Sequence, residues 1–144
     1  METIHEGIFP IYKPAGKTSF SLIRALRKKT HIKKIGHAGT LDPFAEGVMI
    51  LLIGRNFTRQ ANTFINQDKE YEGLLHLGIT TTTFDPEGDI TSENSHIPTL
   101  PDIEKALIQF QGTIQQIPPM YSAKKVQGKK LYQLARQGIE IERK

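Results

Sequence analysis

Residues 36–43 read Gly36-His37-Ala38-Gly39-Thr40-Leu41-Asp42-Pro43, and five residues later the chain enters the uninterrupted apolar run 48–53, VMILLI. A polar, glycine-punctuated loop that feeds a continuous apolar run is the pattern of a loop opening into a buried strand. Pro43 fixes its own φ and keeps Asp42 out of the right-handed helical region, so the carboxylate is presented on a stiff backbone. An acid held in this way can serve as a nucleophile or a base. On these local features alone, the preferred reading of Asp42 is a turn aspartate bonded to the backbone.

Around that junction the chain alternates irregularly between strand and helix patterns. GIFPIY, residues 7–12, is a short apolar strand stopped by Lys13-Pro14-Ala15-Gly16. A helix follows, capped by Thr18 or Ser19, with Leu22, Ile23 and Leu26 as its apolar stripe and Arg27, Lys28 and Lys29 in its last turn. Residues 55–65 are predicted helical, 71–77 (YEGLLHL) a strand, and 80–95 a long acidic turn. Thr99-Leu100-Pro101-Asp102 opens a helix whose Ile103, Ala106, Leu107 and Phe110 share a face, closed by Gly112. Residues 113–117 and 139–142 read as strands, and Leu131, Leu134 and Ala135 mark a short basic helix between them. No period repeats and no linker intervenes, which predicts one α+β unit around a mixed sheet. A strand pattern in the last residues predicts a neighbour further along a longer chain.

Charge is segregated along the chain. Residues 13–34 carry Lys13, Lys17, Arg24, Arg27, Lys28, Lys29, Lys33 and Lys34 without one acid, and Lys124, Lys125, Lys129, Lys130 and Arg136 form a second basic block. Between them, residues 85–104 hold six acids and no lysine or arginine. Such blocks can be solvated helix faces, but two of them suit a polyanion whose counterions are released on binding. With 144 residues, 38% hydrophobic residues and no cysteine, a soluble domain with one core is expected, and disulfides, thiolate metal sites and thiol nucleophiles are excluded. The first seven residues carry two glutamates and no apolar run, so no signal peptide is predicted and the cytoplasm is the expected compartment.

Other chemistries find little support. His37 and Asp42 lack a third convergent metal donor, and His5, His31, His76 and His96 are scattered. The run Asp85, Glu87, Asp89 imitates the start of a calcium loop, but Ile90 and His96 stand where its glycine and bidentate glutamate belong. Gly16, Gly36 and Gly39 fit neither phosphate-cradling glycine motif.

Five ordered stretches resemble the bacterial tRNA pseudouridine synthase B family. They are Tyr12-Lys13-Pro14-Ala15-Gly16 with Thr18-Ser19; the 36–43 string with Ala45 and Gly47; Lys69-Glu70-Tyr71; Asp85 with Gly88; and 116–123 with 127–132 and 135–138. The likeness runs from about Gly7 to the last residue, and the G-H-x-G-x-L-D-P string is its most specific part. It implies a pseudouridine synthase fold, an α+β mixed and mainly antiparallel sheet with flanking helices. On that reading residues 1–144 are the N-terminal part of the catalytic domain, with a T-arm-clamping insertion at about 116–138. The C-terminal remainder and any PUA-type domain are expected to lie outside these residues.

The resemblance implies tRNA pseudouridine(55) synthase activity, an isomerisation of the T-loop uridine that needs no cofactor and no metal. The implied partner is the tRNA T-arm, with no membrane, for a full-length monomer. Asp42 corresponds to the catalytic aspartate and Tyr71 to the active-site tyrosine that packs on the target base. His37 stands beside the flipped nucleotides, Lys13 with Pro14 forms the motif buttressing the tyrosine, and Lys13 is expected among the substrate-binding residues. Asp85 matches an acid paired with a catalytic arginine, and Lys129 and Lys130 would hold phosphates and position the arm.

The chemistry breaks the bond from ribose C1′ to N1, turns the uracil, and rejoins C1′ to C5. One carboxylate suffices because the leaving base is also the acceptor. Attack of Asp42 on C1′ and abstraction of a sugar proton are both open. The base must also leave its stack, and His37 and Tyr71 are flat groups able to replace stacking partners. Two departures stand out: Thr82 where the family often has aspartate, and no K-G-T-Y-[IV]-R string carrying the family arginine. That missing motif raises the alternative of a noncatalytic RNA-binding or tRNA-folding module.

Overall fold

The apolar run 48–53 lies in the middle strand of a three-stranded antiparallel sheet. In the computed structural model, which describes residues 6–143, β1 (Gly7–Lys13), β2 (Ile35–Ala38) and β3 (Gly47–Ile53) are ordered β1-β3-β2. Gly7 pairs with Ile53 and Lys13 with Gly47, while Ile35 pairs with Ile53 and Ala38 with Ile50. Residues 1–5, part of the N-terminal stretch expected to lack a targeting signal, lie outside the described residues.

β3 is buried along one face, and on the other only toward its end, from Val48 at 69% exposed to Leu52 with no exposed surface. Leu51 and Ile53 project to one face, where they form a core with Ile35 and with Ile23 of α1 (Ser19–Thr30). Leu22, Leu26 and Ile32 complete that layer. Leu52, also without exposed surface, points the other way. Its pairing partner Gly36 lies under Thr58 of α2 (Arg55–Thr58), which with α3 (Ala61–Ile65) packs on β2.

Thr18 caps α1, accepting a hydrogen bond from the Ser21 amide at 3.2 Å. The helix ends at His31, which takes the left-handed conformation and bonds back to Arg27. These elements belong to a compact unit, Met1–Gly73.

The second unit is Leu74–Lys144. Its β4 (Ile79–Thr81) and β5 (Ile90–Glu93) form a hairpin bulged between Thr80 and Thr81. Next comes α4 (Leu100–Leu107), where the capping box holds as predicted: the Thr99 amide donates to Asp102 at 3.0 Å and the Asp102 amide to Thr99 at 3.4 Å. Then β6 (Lys125–Val126) and β7 (Lys129–Lys130) make a tight hairpin through Gln127 and Gly128, both at positive φ. It leads into α5 (Leu131–Ala135), which buries Leu131 and Leu134.

Several sequence expectations are corrected. The 71–77 strand is absent: Tyr71 is 71% exposed and Leu74 fully so, because an apolar alternation forms a strand only where a neighbour offers hydrogen bonds. The same reason removes the strands expected at 113–117 and 139–142. The helix expected over 55–65 is broken into α2 and α3 by a turn in which the Gln60 amide reaches the Phe57 carbonyl. The acidic turn 80–95 is instead mostly a hairpin, since threonine and isoleucine favour paired backbone. Gly36, His37 and Ala38 belong to β2 rather than to a loop. The sheets are antiparallel throughout the described residues, not mixed.

Candidate functional site

The connection between β2 and β3, residues 39–46, carries Asp42, and its neighbours hold it from two sides. Ser19, at the start of α1 and 4% exposed, donates from Oγ to the Leu41 carbonyl at 3.0 Å and accepts from the Leu41 amide at 3.1 Å. On the other side, the Pro43 carbonyl accepts from the Gly16 amide at 2.7 Å and from Lys13 Nζ at 3.3 Å. Gly16 reaches that position at φ +75, a conformation that glycine adopts without strain. Asp42 itself is exposed, and its carbonyl closes a turn with the Ala45 amide at 3.2 Å. Among the described residues, the hydrogen bonds that tie this loop to Ser19, Gly16 and Lys13 run through the backbone of Leu41 and Pro43, and none involves the Asp42 carboxylate.

Lys13 does not face a substrate. Its side chain has no exposed surface, and Nζ donates to the carbonyls of Lys17 at 2.7 Å, Pro14 at 3.1 Å and Pro43. An ammonium has three donors, and all three are committed to the chain's own backbone. The expectation that Lys13 contacts substrate is therefore corrected: it ties the turn after β1 to the loop before β3.

His37 sits near the end of β2, paired with Leu51 and partly buried. Its Nδ1 lies 2.6 Å from the Gly39 carbonyl, which can only accept, so Nδ1 carries the proton. In the neutral ring Nε2 is then left as an acceptor. Gly39 turns its carbonyl there at φ +99, outside the range of ordinary side-chain-bearing residues. A second carboxylate in the loop, Glu46, lies near the Tyr12 hydroxyl and raises that phenol's pKa above its ordinary value. Tyr71 lies in the same unit, exposed, on a segment without regular structure.

The remaining expected residues belong to the second unit. Asp85 is built into the β4–β5 turn, where Oδ1 accepts from Thr83 Oγ1 at 2.6 Å and from the Glu87 amide at 2.9 Å. Among the described residues its partners are thus a hydroxyl and an amide, and the ion pair present joins Arg143 to Glu140. Lys129 and Lys130 form β7, next to an open cavity of about 590 Å3 lined by Lys129, Tyr132, Gln133, Leu134, Arg136 and Gln137. Lys130 Nζ and the Arg136 guanidinium each stand 5.5 Å from the Tyr132 ring centre, within cation–π range. Sequence reasoning did not foresee the grouping of Lys130 and Arg136 on Tyr132, nor the bracing role of Ser19. A serine beside a helix start reads as a cap, and nothing local reveals a partner 22 residues away.

A braced acid and a tautomer-fixed histidine, on a sheet covered by helices, join the sequence motifs of the first unit in one place. Residues 27–144 match the TruB family pseudouridylate synthase N-terminal domain, and the chain belongs to that family. Among curated proteins, it is 60% identical over 138 residues to the tRNA pseudouridine synthase B of Protochlamydia amoebophila, covering 96% of this chain and 53% of that protein. The synthase of the same name from Chlamydia pneumoniae is 58% identical over 140 residues, covering 97% and 60%. That of Clostridium kluyveri is 48% identical over 139 residues, covering 96% and 48%. The chain thus spans about half the length of these relatives. Among the described residues no helix is long and apolar enough to cross a membrane.

Proposed function

We propose that this chain supplies the catalytic acid and part of the RNA-binding surface of a tRNA pseudouridine(55) synthase acting on the T-loop uridine. The observation that carries this reading is the Asp42 loop: the residues before and after the acid are locked, while the acid is exposed. This is the preorganisation expected of a group that must meet an anomeric carbon in one orientation. Asp42 either attacks C1′, displacing N1, or removes a sugar proton as the same C1′–N1 bond breaks. In both cases the freed uracil turns and C5 bonds to C1′, expelling the Asp42 carboxylate in the first route and taking back the sugar proton from Asp42 in the second, while N1 takes up a proton. The C5 proton then leaves to solvent. Retaining the base in the pocket requires that water be kept out, since hydrolysis would compete with rejoining.

His37 and Tyr71 serve the everted nucleotide, with Nε2 of His37 accepting a hydrogen bond. The Lys129, Lys130 and Arg136 group, backed by Tyr132, holds phosphates of the T-arm without reading sequence. The family name of the relatives and the order of the motifs support this assignment.

The test is release of tritium from C5 of a uridine-labelled tRNA transcript. It is made with this chain alone and with this chain completed by the C-terminal half of the Protochlamydia amoebophila relative. Release by the completed protein, lost in Asp42→Asn, supports the assignment. Full release by Asp42→Asn refutes the role of the acid. Salt-sensitive tRNA binding with no release, even in large protein excess, points instead to a noncatalytic RNA-binding module.

A further inference from the structure

We infer that Ser19 is a positioning residue for Asp42, acting through the backbone of Leu41. The inference rests on the catalytic reading of Asp42 and extends it to a residue that touches neither substrate nor reacting atoms.

Three observations converge on Ser19. The residue is 4% exposed although it opens a helix whose cap is Thr18, so its hydroxyl is free of the usual capping task. That hydroxyl binds both polar groups of one residue, donating to the Leu41 carbonyl at 3.0 Å and accepting from the Leu41 amide at 3.1 Å. A hydroxyl with one proton that bridges an amide and a carbonyl of the same residue fixes the torsions between them. The residue so fixed immediately precedes Asp42.

The consequence follows from counting the freedoms left to the acid. Pro43 has a fixed φ, and its carbonyl is held by Gly16 and Lys13. Asp42 is confined to extended torsions by the proline that follows it. With Leu41 pinned by Ser19, the Asp42 side chain is the mobile part of the segment, and its Cα stays at one place relative to α1. Removing the hydroxyl unpairs the amide and carbonyl of Leu41 together, and their search for new partners displaces the acid. A displacement of about an ångström at a reacting group is enough to cost on the order of a hundredfold in rate.

The experiment compares Ser19→Ala, Ser19→Thr and Asp42→Asn in the chain completed by the C-terminal half of the Protochlamydia amoebophila relative, with amide exchange at Leu41 measured in parallel. For Ser19→Ala, kcat for tritium release is expected to fall about 10- to 100-fold. KM for tRNA should stay within about twofold, because the phosphate contacts are untouched. Ser19→Thr, which keeps the hydroxyl, should recover most of kcat, and the Leu41 amide should exchange faster in Ser19→Ala than in the unmodified protein.

An unchanged kcat in Ser19→Ala, with Asp42→Asn inactive, overturns the positioning role and leaves the acid's role standing. Full release by Asp42→Asn instead overturns the reading beneath it. Should Ser19→Ala fail to fold, the unmodified protein still decides: a Leu41 amide that exchanges as fast as that of exposed Thr40 shows that no clamp exists.

Discussion

Lys13 Nζ donates to the carbonyl of Pro43 at 3.3 Å, thirty residues along the chain, and joins the end of β1 to the residue that follows Asp42. The ammonium is buried with three backbone carbonyls around it and no carboxylate among its bonded partners. Burying a charge without a counterion is tolerated only when its donors are satisfied, and here they are. Lys13→Leu should therefore destabilise the first unit by about 2–3 kcal/mol, the range of a hydrogen-bonded buried charge. The loss is read as a lower urea midpoint, and an unchanged midpoint would contradict the brace.

Gly39 is held at φ +99 with its carbonyl against His37 Nδ1. Gly39→Ala meets open space at Cβ but not an allowed backbone, so the cost is strain of about 1–3 kcal/mol. In the unmodified chain, nitrogen NMR of neutral His37 should show the Nδ1–H tautomer. Gly39→Ala should shift the ring toward a mixture with Nε2–H. Finding Nε2–H dominant in the unmodified chain would remove the hydrogen bond from the site.

The Asp102 carboxyl accepts from the Thr99 hydroxyl and amide, and these bonds lower its pKa below the ordinary aspartate value. A group whose pKa is depressed by folding contributes stability above its unfolded pKa and loses it as pH falls through the folded one. The helicity of α4 should accordingly be constant near neutrality and drop in that acidic window. Asp102→Asn should flatten the drop, and an identical acid titration of helicity in the two proteins would refute the capping role.

Lys130 and Arg136 flank Tyr132 at equal distance, a cationic face with a flat base beneath it. If both side chains meet phosphates, the double variant Lys130→Ala with Arg136→Ala should flatten the slope of log binding constant against log salt by roughly 0.7–0.9 for each phosphate left unneutralised. The weakening should be similar for unrelated RNA sequences, because phosphate contacts carry no base information. A slope equal to that of the unmodified chain would exclude this face from the interface.

The junction at Asp42 was readable from its residues because its determinants are local: glycines that permit unusual torsions, a proline that restricts them, and an apolar run too continuous for a surface strand. The Thr99–Asp102 capping box and the basic α1 were legible for the same reason. Strands at 71–77, 113–117 and 139–142 were misread, since a strand exists only with a partner and the pattern names none. What tertiary structure alone decided is which side chains hold the acid in place. Lys13 reads as a surface cation and Ser19 as a helix cap until folding brings Pro43 and Leu41 within hydrogen-bond reach. Residue type set the chemistry available at each position. Burial and long-range contact determined that the lysine would serve the backbone and leave the aspartate exposed.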